Sequence, residues 1–239
     1  MPGSPPPHRK RPGRSPARRG FLRAAGAAAL VALAEASAQS GAPRDAALIA
    51  AAERGDTLAV RALLAEGANV NAQDAEGRTA LLAATHRNRI DAARVLIEAG
   101  ADVNIKDRIQ DSPFLYAGAE GRLEILKLAL AHGADLASTN RYGGTALIPA
   151  CHHGHVETVR LLLQTAIAVD HVNHLGWTAL LEAVILGDGG AAHTEIVRLL
   201  VARGANVNRA DRDGVTPLAH ARRRGYAGMV EVLTKAGAR

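Results

Sequence analysis

Cys151-His152-His153-Gly154-His155 is the densest run of ligating side chains in the chain, and His171, His174 and His193 follow it. Thiolate and imidazole are the common donors to zinc. A thiol beside an imidazole is also the pairing a cysteine nucleophile needs. Both chemistries require convergence. Successive helical residues point about 100° apart, so at most two of these side chains face one point. Glu182 stands alone among apolar residues in Ala179-Leu180-Leu181-Glu182-Ala183-Val184-Ile185, where a carboxylate needs a partner. Gly187-Asp188-Gly189-Gly190 is glycine-rich, but it lacks the Lys-Ser/Thr ending of a phosphate loop. The chain has no nucleophile elbow and no His-Glu-x-x-His. Neither catalysis nor a cofactor is expected.

The elements that position these residues follow from a phrase with a fixed period. It reads Gly67-Ala68-Asn69-Val70-Asn71, Gly100-Ala101-Asp102-Val103-Asn104 and Gly133-Ala134-Asp135-Leu136. It returns at Ala166-Ile167-Ala168-Val169-Asp170, Gly204-Ala205-Asn206-Val207-Asn208 and Gly237-Ala238. A repeat of about 33 residues means stacked supersecondary units rather than one closed core. Six units result: 45–74, 75–107, 108–140, 141–173, 174–211 and 212–239. The fifth is five residues longer, within 186–193. Each unit opens on a turn such as Asp211-Arg212-Asp213-Gly214. Thr79, Ser112, Thr145, Thr178 and Thr216 then stand as helix N-caps, with Asp45 in that role for the first unit. A short Ala-rich helix ends at Gly55, Asn88, Gly121, Gly154 or Gly225, and a Leu/Val-rich helix ends at the Gly of the phrase.

Turn, helix, turn, helix at this period resembles the ankyrin repeat. Asp213-Gly214-Val215-Thr216-Pro217-Leu218-Ala219-His220-Ala221 and Gly154-His155-Val156-Glu157-Thr158-Val159 match the family phrase well. The resemblance covers 45–239 and implies an all-α solenoid of about six repeats, with β-hairpin fingers roughly perpendicular to paired helices. It makes His155 a framework residue, puts Cys151 at a small buried position and Phe114 in the core. Residues 39–44 read as a linker.

In such arrays function sits where the framework leaves residues free, here the fingertips and the first-helix face of the concave groove. The variable first-helix column reads Ala50, Ala83, Tyr116, Pro149, Glu182, His220. Tyr116, Tyr142 and Trp177 fall on the groove of units three to five, and aromatic side chains are common interface anchors. Packing between adjacent fingers is the other expectation for Tyr142 and Trp177. The candidate partner-binding set is Ile109, Asp111, Tyr116, Tyr142, Trp177 and Glu182. Gln110 replaces a fingertip Gly, which implies an altered turn. A second reading places a small ligand or metal at His152, His153, His193 and the 187–193 loop beside Glu182.

The charge is unevenly placed. Residues 1–38 hold Arg9, Lys10, Arg11, Arg14, Arg18, Arg19 and Arg23 against Glu35 alone, which is the whole net charge of +6. The repeats are therefore neutral overall and offer nucleic acid no basic face. Arg18-Arg19-Gly20-Phe21-Leu22, the uncharged stretch Ala24–Ala34 and Ala36-Ser37-Ala38 are ordered like a twin-arginine signal peptide cleaved near Ala38. The expected product is a monomeric, periplasmic or secreted protein-binding module without a stable membrane anchor. One cysteine, Cys151, allows no intramolecular disulfide.

Overall fold

A computed structural model describes Gly3 and residues 41–239 of the chain. Residues 43–239 form one compact unit. The expected signal peptide, residues 1–38, lies outside the described residues apart from Gly3. No helix among the described residues is long and apolar enough to cross a membrane.

The first described helix, α1, covers 41–54. It is followed by α2 (Thr57–Ala65), α3 (Ala80–His86), α4 (Ile90–Glu98), α5 (Pro113–Ala119) and α6 (Leu123–Ala131). Then come α7 (Leu147–His152), α8 (Val156–Leu162), α9 (Ala179–Ile185), α10 (Ala191–Ala202), α11 (Pro217–Arg224) and α12 (Ala227–Lys235). From α3 onward, odd helices pack on odd and even on even in chain order, and each odd helix packs on its even partner. Two helical layers result, joined by a continuous core. Small side chains let the odd layer close up: Ala80, Ala83 and Ala84 of α3 are all buried. Larger side chains fill the seam between layers, including Leu96, Phe114, Leu126 and Leu162. Each such side chain is worth roughly 1.5–3 kcal/mol when removed from water.

Residues 41–44, expected as linker, are helical. Arg44 donates to Glu66 O at 2.7 Å, and Asp45 accepts from Asn69 N–H at 2.7 Å, so the segment is tied to α2's exit. Asp45 is therefore inside a helix, not its N-cap.

Each finger is a turn closed by its own first residue. Asp74, Asp107, Asn140, Asn173 and Asp211 each accept two backbone N–H bonds through Oδ1, from the residues two and four further on. The arms then run directly into the helix caps. They are too short for a ladder, and Gln73–Thr79 is the one β-bridge among the described residues. Gln110 does not alter its turn: it adopts φ 68°, as Gly77 does at φ 81°. A Cβ on Gly77 would sit 3.1 Å from Arg108 N, so that finger pair is close and Arg108 N–H donates to Glu76 O at 3.0 Å. His174 N–H donates likewise to Tyr142 O at 2.8 Å, whereas the corresponding bonds from Arg141 N–H to Ile109 O, beside Gln110, and from Arg212 N–H to Leu175 O, beside Gly176, are absent among the described residues.

Four of the five hydroxyl caps form as expected, at Thr79, Ser112, Thr178 and Thr216. Thr145 does not cap. At the other four caps the residue four positions on donates its amide to the cap's carbonyl. Here that residue is Pro149, which has no N–H and whose ring would clash with that carbonyl. Ile148 N–H turns to Thr145 O instead, α7 begins later, and Thr145 Oγ1 is buried without a partner.

Candidate functional site

Fingers two to four and helices α5, α7 and α9 border a cavity of about 450 Å³. Its origin lies in the first-helix column. In the last repeat His220 Nε2 reaches Asp211 Oδ2 of its finger at 2.6 Å, closing the gap between helix and turn. Pro149 is too short to reach Asn140 in that way, while Tyr116 and Glu182 stand on either side as walls.

Five of the six expected binding residues line this cavity: Ile109, Asp111, Tyr116, Tyr142 and Glu182. Trp177 does not. It lies half-buried on the fourth finger, whose contributions are Asn173 and Leu175. The rim is apolar. Of the large hydrophobic side chains exposed among the described residues, Ile109 (52%), Tyr142 (54%), Leu175 (48%) and Leu186 (42%) all border it, and Leu58 lies elsewhere. Isolated exposed apolar residues are ordinary, but a contiguous group is a mark of an interaction surface.

The polar groups are few. The Arg141 guanidinium lies 4.7 Å over the Tyr142 ring and 3.8 Å from Asp111. Burial, and then Asp107, push the Asp111 carboxyl above its usual range despite Arg141. Glu182 is 7% exposed. Burial lifts its carboxyl to about 7, against one hydrogen bond from Asn173 Nδ2 to Oε2 at 3.3 Å. The rings of His152 and His153 are 4.6 Å apart, and burial followed by His153 lowers the His152 pKa. His153 is anchored, its Nδ1 bonding to Ala119 O at 2.7 Å.

Ligand convergence on a metal is not seen. No group of three or more His, Cys, Asp or Glu is placed to hold an ion among the described residues. His193 is engaged elsewhere: Nδ1 meets Asp188 Oδ1 and Nε2 meets His152 O, both at 2.8 Å. Both ring nitrogens are thus turned to protein oxygens rather than toward a shared ion. The 187–193 insertion is also more ordered in its bonding than a free glycine loop. Ala191–His193 belong to α10, Gly190 N–H donates to Asp188 Oδ1, and Tyr226 OH donates to Gly187 O. Cys151 is fully buried, and burial, followed by the nearby Glu182, raises its thiol pKa well above the ordinary value. It is poorly placed as a nucleophile.

Residues the sequence did not single out for binding also form the walls, notably Leu175, Leu186 and Arg141. The available signal was a hydrophobic fingertip residue, Ile109 or Leu175, at a place where the period elsewhere supplies Glu76 or Asp213.

The family model for ankyrin repeats (three copies) matches residues 23–107, 114–209 and 169–239. A 57-residue stretch is 44% identical to the putative ankyrin repeat protein YahD of Escherichia coli K12, covering 24% of this chain and 28% of that protein. An ankyrin repeat domain from Acinetobacter baumannii AYE is 58% identical with a TM-score of 0.78, over 80% of this chain and 98% of its own. The ankyrin repeat domain of Bcl-3, a member of the IkappaB family, is 28% identical with a TM-score of 0.72, over 81% and 86%. Ankyrin repeats are generally protein–protein interaction modules. The matched segments take in most of the chain and the helix pairs follow the period throughout, so this chain belongs to the ankyrin repeat family.

Proposed function

We propose that the chain is an exported, non-catalytic binding module that holds a protein partner in the groove at repeats three to five. One observation carries the reading: among the described residues, four of the five exposed large hydrophobic side chains rim one cavity. Tyr116 and Tyr142 would serve as aromatic anchors there, with Ile109 and Leu175 as the apolar contacts and Asp111 and Glu182 as the polar ones. Recovery of a specific partner by the wild-type array and by Ile109→Ala/Tyr142→Ala tests the site, with Leu58→Ala as the control. The double variant should lose the partner and the control should keep it. Equal recovery by both would sink the assignment.

The cavity volume favours one second reading, since about 450 Å³ lies within the range of small-ligand sites. A small ligand would be retained through purification and seen by native mass spectrometry. Export is the reading given to the Arg18-Arg19 leader, although the first family match begins at residue 23, within that segment. Residues 1–44, fused to a reporter exported only when folded, should carry it out of the cytoplasm. Arg18→Lys/Arg19→Lys should abolish that export; unchanged export would contradict the twin-arginine assignment.

A further inference from the structure

We infer that the cavity receives one cationic side chain, lysine or arginine, from an extended segment of the partner, with Glu182 as its counter-charge. The inference rests on the protein-binding reading above and specifies the partner's chemistry. Three carboxyls line the walls, Asp111, Glu120 and Glu182, against one guanidinium. That guanidinium, Arg141, is occupied by Asp111 and the Tyr142 ring. Glu182 has no ion pair among the described residues. Its carboxyl has one hydrogen bond among those residues, the 3.3 Å one from Asn173 to Oε2, which leaves Oε1 without a donor there.

The repeat register shows what is missing. In the last repeat the column residue is a base, His220, bonded to an acid on its finger, Asp211. In the fifth repeat the column residue is an acid, Glu182, and its finger offers the uncharged Asn173. Among the described residues no cation supplies the other half of the pair. Beside Glu182, Pro149 leaves room for a side chain entering from the groove. Exposed Tyr142 and half-buried Tyr116 flank the cavity with aromatic surface that suits an aliphatic stem and a cationic head. An anionic side chain would meet three carboxyls instead.

The titratable and charged groups on the elements packed against α9 are Cys151 and His152 of α7 with its C-cap His153, His193, Glu195 and Arg198 of α10, and His220, Arg222, Arg223 and Arg224 of α11. Glu195 is paired with Arg160 and Arg198, and Arg222, Arg223 and Arg224 are exposed. Cys151 is held neutral by burial, His193 is bound to Asp188 and His220 to Asp211. His153, which also borders the cavity, is thus the internal group that acts on Glu182.

The test is an NMR titration of the full repeat array with blocked Gly-Gly-X-Gly-Gly peptides, X being Arg, Lys, Gln or Glu. The Arg and Lys peptides should shift amides around Glu182, Tyr142 and Leu175, and bind about tenfold more tightly than the Gln peptide. Their affinity should rise about tenfold from pH 6 to pH 8, as Glu182 ionises. Glu182→Gln keeps the side chain's size and should remove both preferences, with the rest of the spectrum unchanged. Equal binding of Arg and Gln peptides, shifts elsewhere, or an unaltered preference in Glu182→Gln would overturn the inference. A partner that is lost with Ile109→Ala/Tyr142→Ala but kept by Glu182→Gln would sink the inference and leave the protein-binding reading standing.

Discussion

Burial keeps Glu182 protonated up to about pH 7, offset only by one hydrogen bond from Asn173 and the nearby His153. The sign of its effect on stability follows. Below about 4.5 the carboxyl is protonated in both the folded and the unfolded chain, and the folded state is not penalised. From there to about 7 the unfolded chain releases the proton and the folded one keeps it, so stability falls as pH rises and then levels. Glu182→Gln should remove that fall and leave the variant more stable than wild type at pH 8, by on the order of 1–3 kcal/mol. Urea unfolding at pH 5 and pH 8 measures it, and an unchanged pH slope would contradict the assignment. Gln110, like Asn88 at φ 51°, is also under constraint: it stands at φ 68° where its counterparts are glycine. Gln110→Gly should stabilise the array by about 0.5–1 kcal/mol, since a Cβ in left-handed backbone is costly. A loss of stability would show that the Gln110 side chain itself is held.

At the scale of elements, the Asn that closes the repeated phrase joins each repeat to the next. Asn71 Oδ1 accepts from Asp102 N–H, Asn104 from Asp135 and Asn208 from Arg239, at 2.8–2.9 Å. Asp170 does the same for Asn206 at 3.0 Å. Repeat three has Ala137 in that place, and Ala168 N–H has no protein acceptor among the described residues. Ala137→Asn should supply one and raise stability by about 1 kcal/mol. Pro149→Ala should restore the amide donor to Thr145 O, free Thr145 Oγ1 to cap α7, and gain about 1 kcal/mol. No gain in thermal unfolding temperature for either would refute the corresponding account. These elements were legible in the sequence because the period fixes the framework: turns, caps and helix ends all recur at one spacing. The site was only half legible. Ile109, Asp111, Tyr116, Tyr142 and Glu182 stand where the framework is free. Trp177 does so too, yet falls outside the cavity, because which free positions meet depends on how adjacent fingers are spaced. Leu186 is in register with Arg87, Glu120 and His153 at the first helix's C-cap, but it adjoins the extra residues of the fifth repeat and so reads with them rather than with the groove.

For the whole molecule, these local departures coincide at one junction. Between repeats three and four both the Asn bond and the finger backbone bond are missing, and α6 and α8 pack less closely than the other neighbouring even helices. Lys106 Nζ to Thr139 O at 2.6 Å and the 3.8 Å Arg141–Asp111 pair are the polar links that remain there between the fingers. The stability of a solenoid is approximately a sum over neighbouring repeats, so hydrogen exchange should open first across this junction. Uniform protection along the array would contradict it. The cavity spans the same junction, so a partner seated there would bridge repeats three to five and slow that opening. The most direct test of the account replaces Tyr142, and separately Leu58, with a photo-crosslinking phenylalanine in cells that make the protein. Illumination should give a discrete partner adduct from position 142 and none from position 58. Adducts from 58 but not 142, or the same adducts from both, would contradict the placement of the binding surface at repeats three to five.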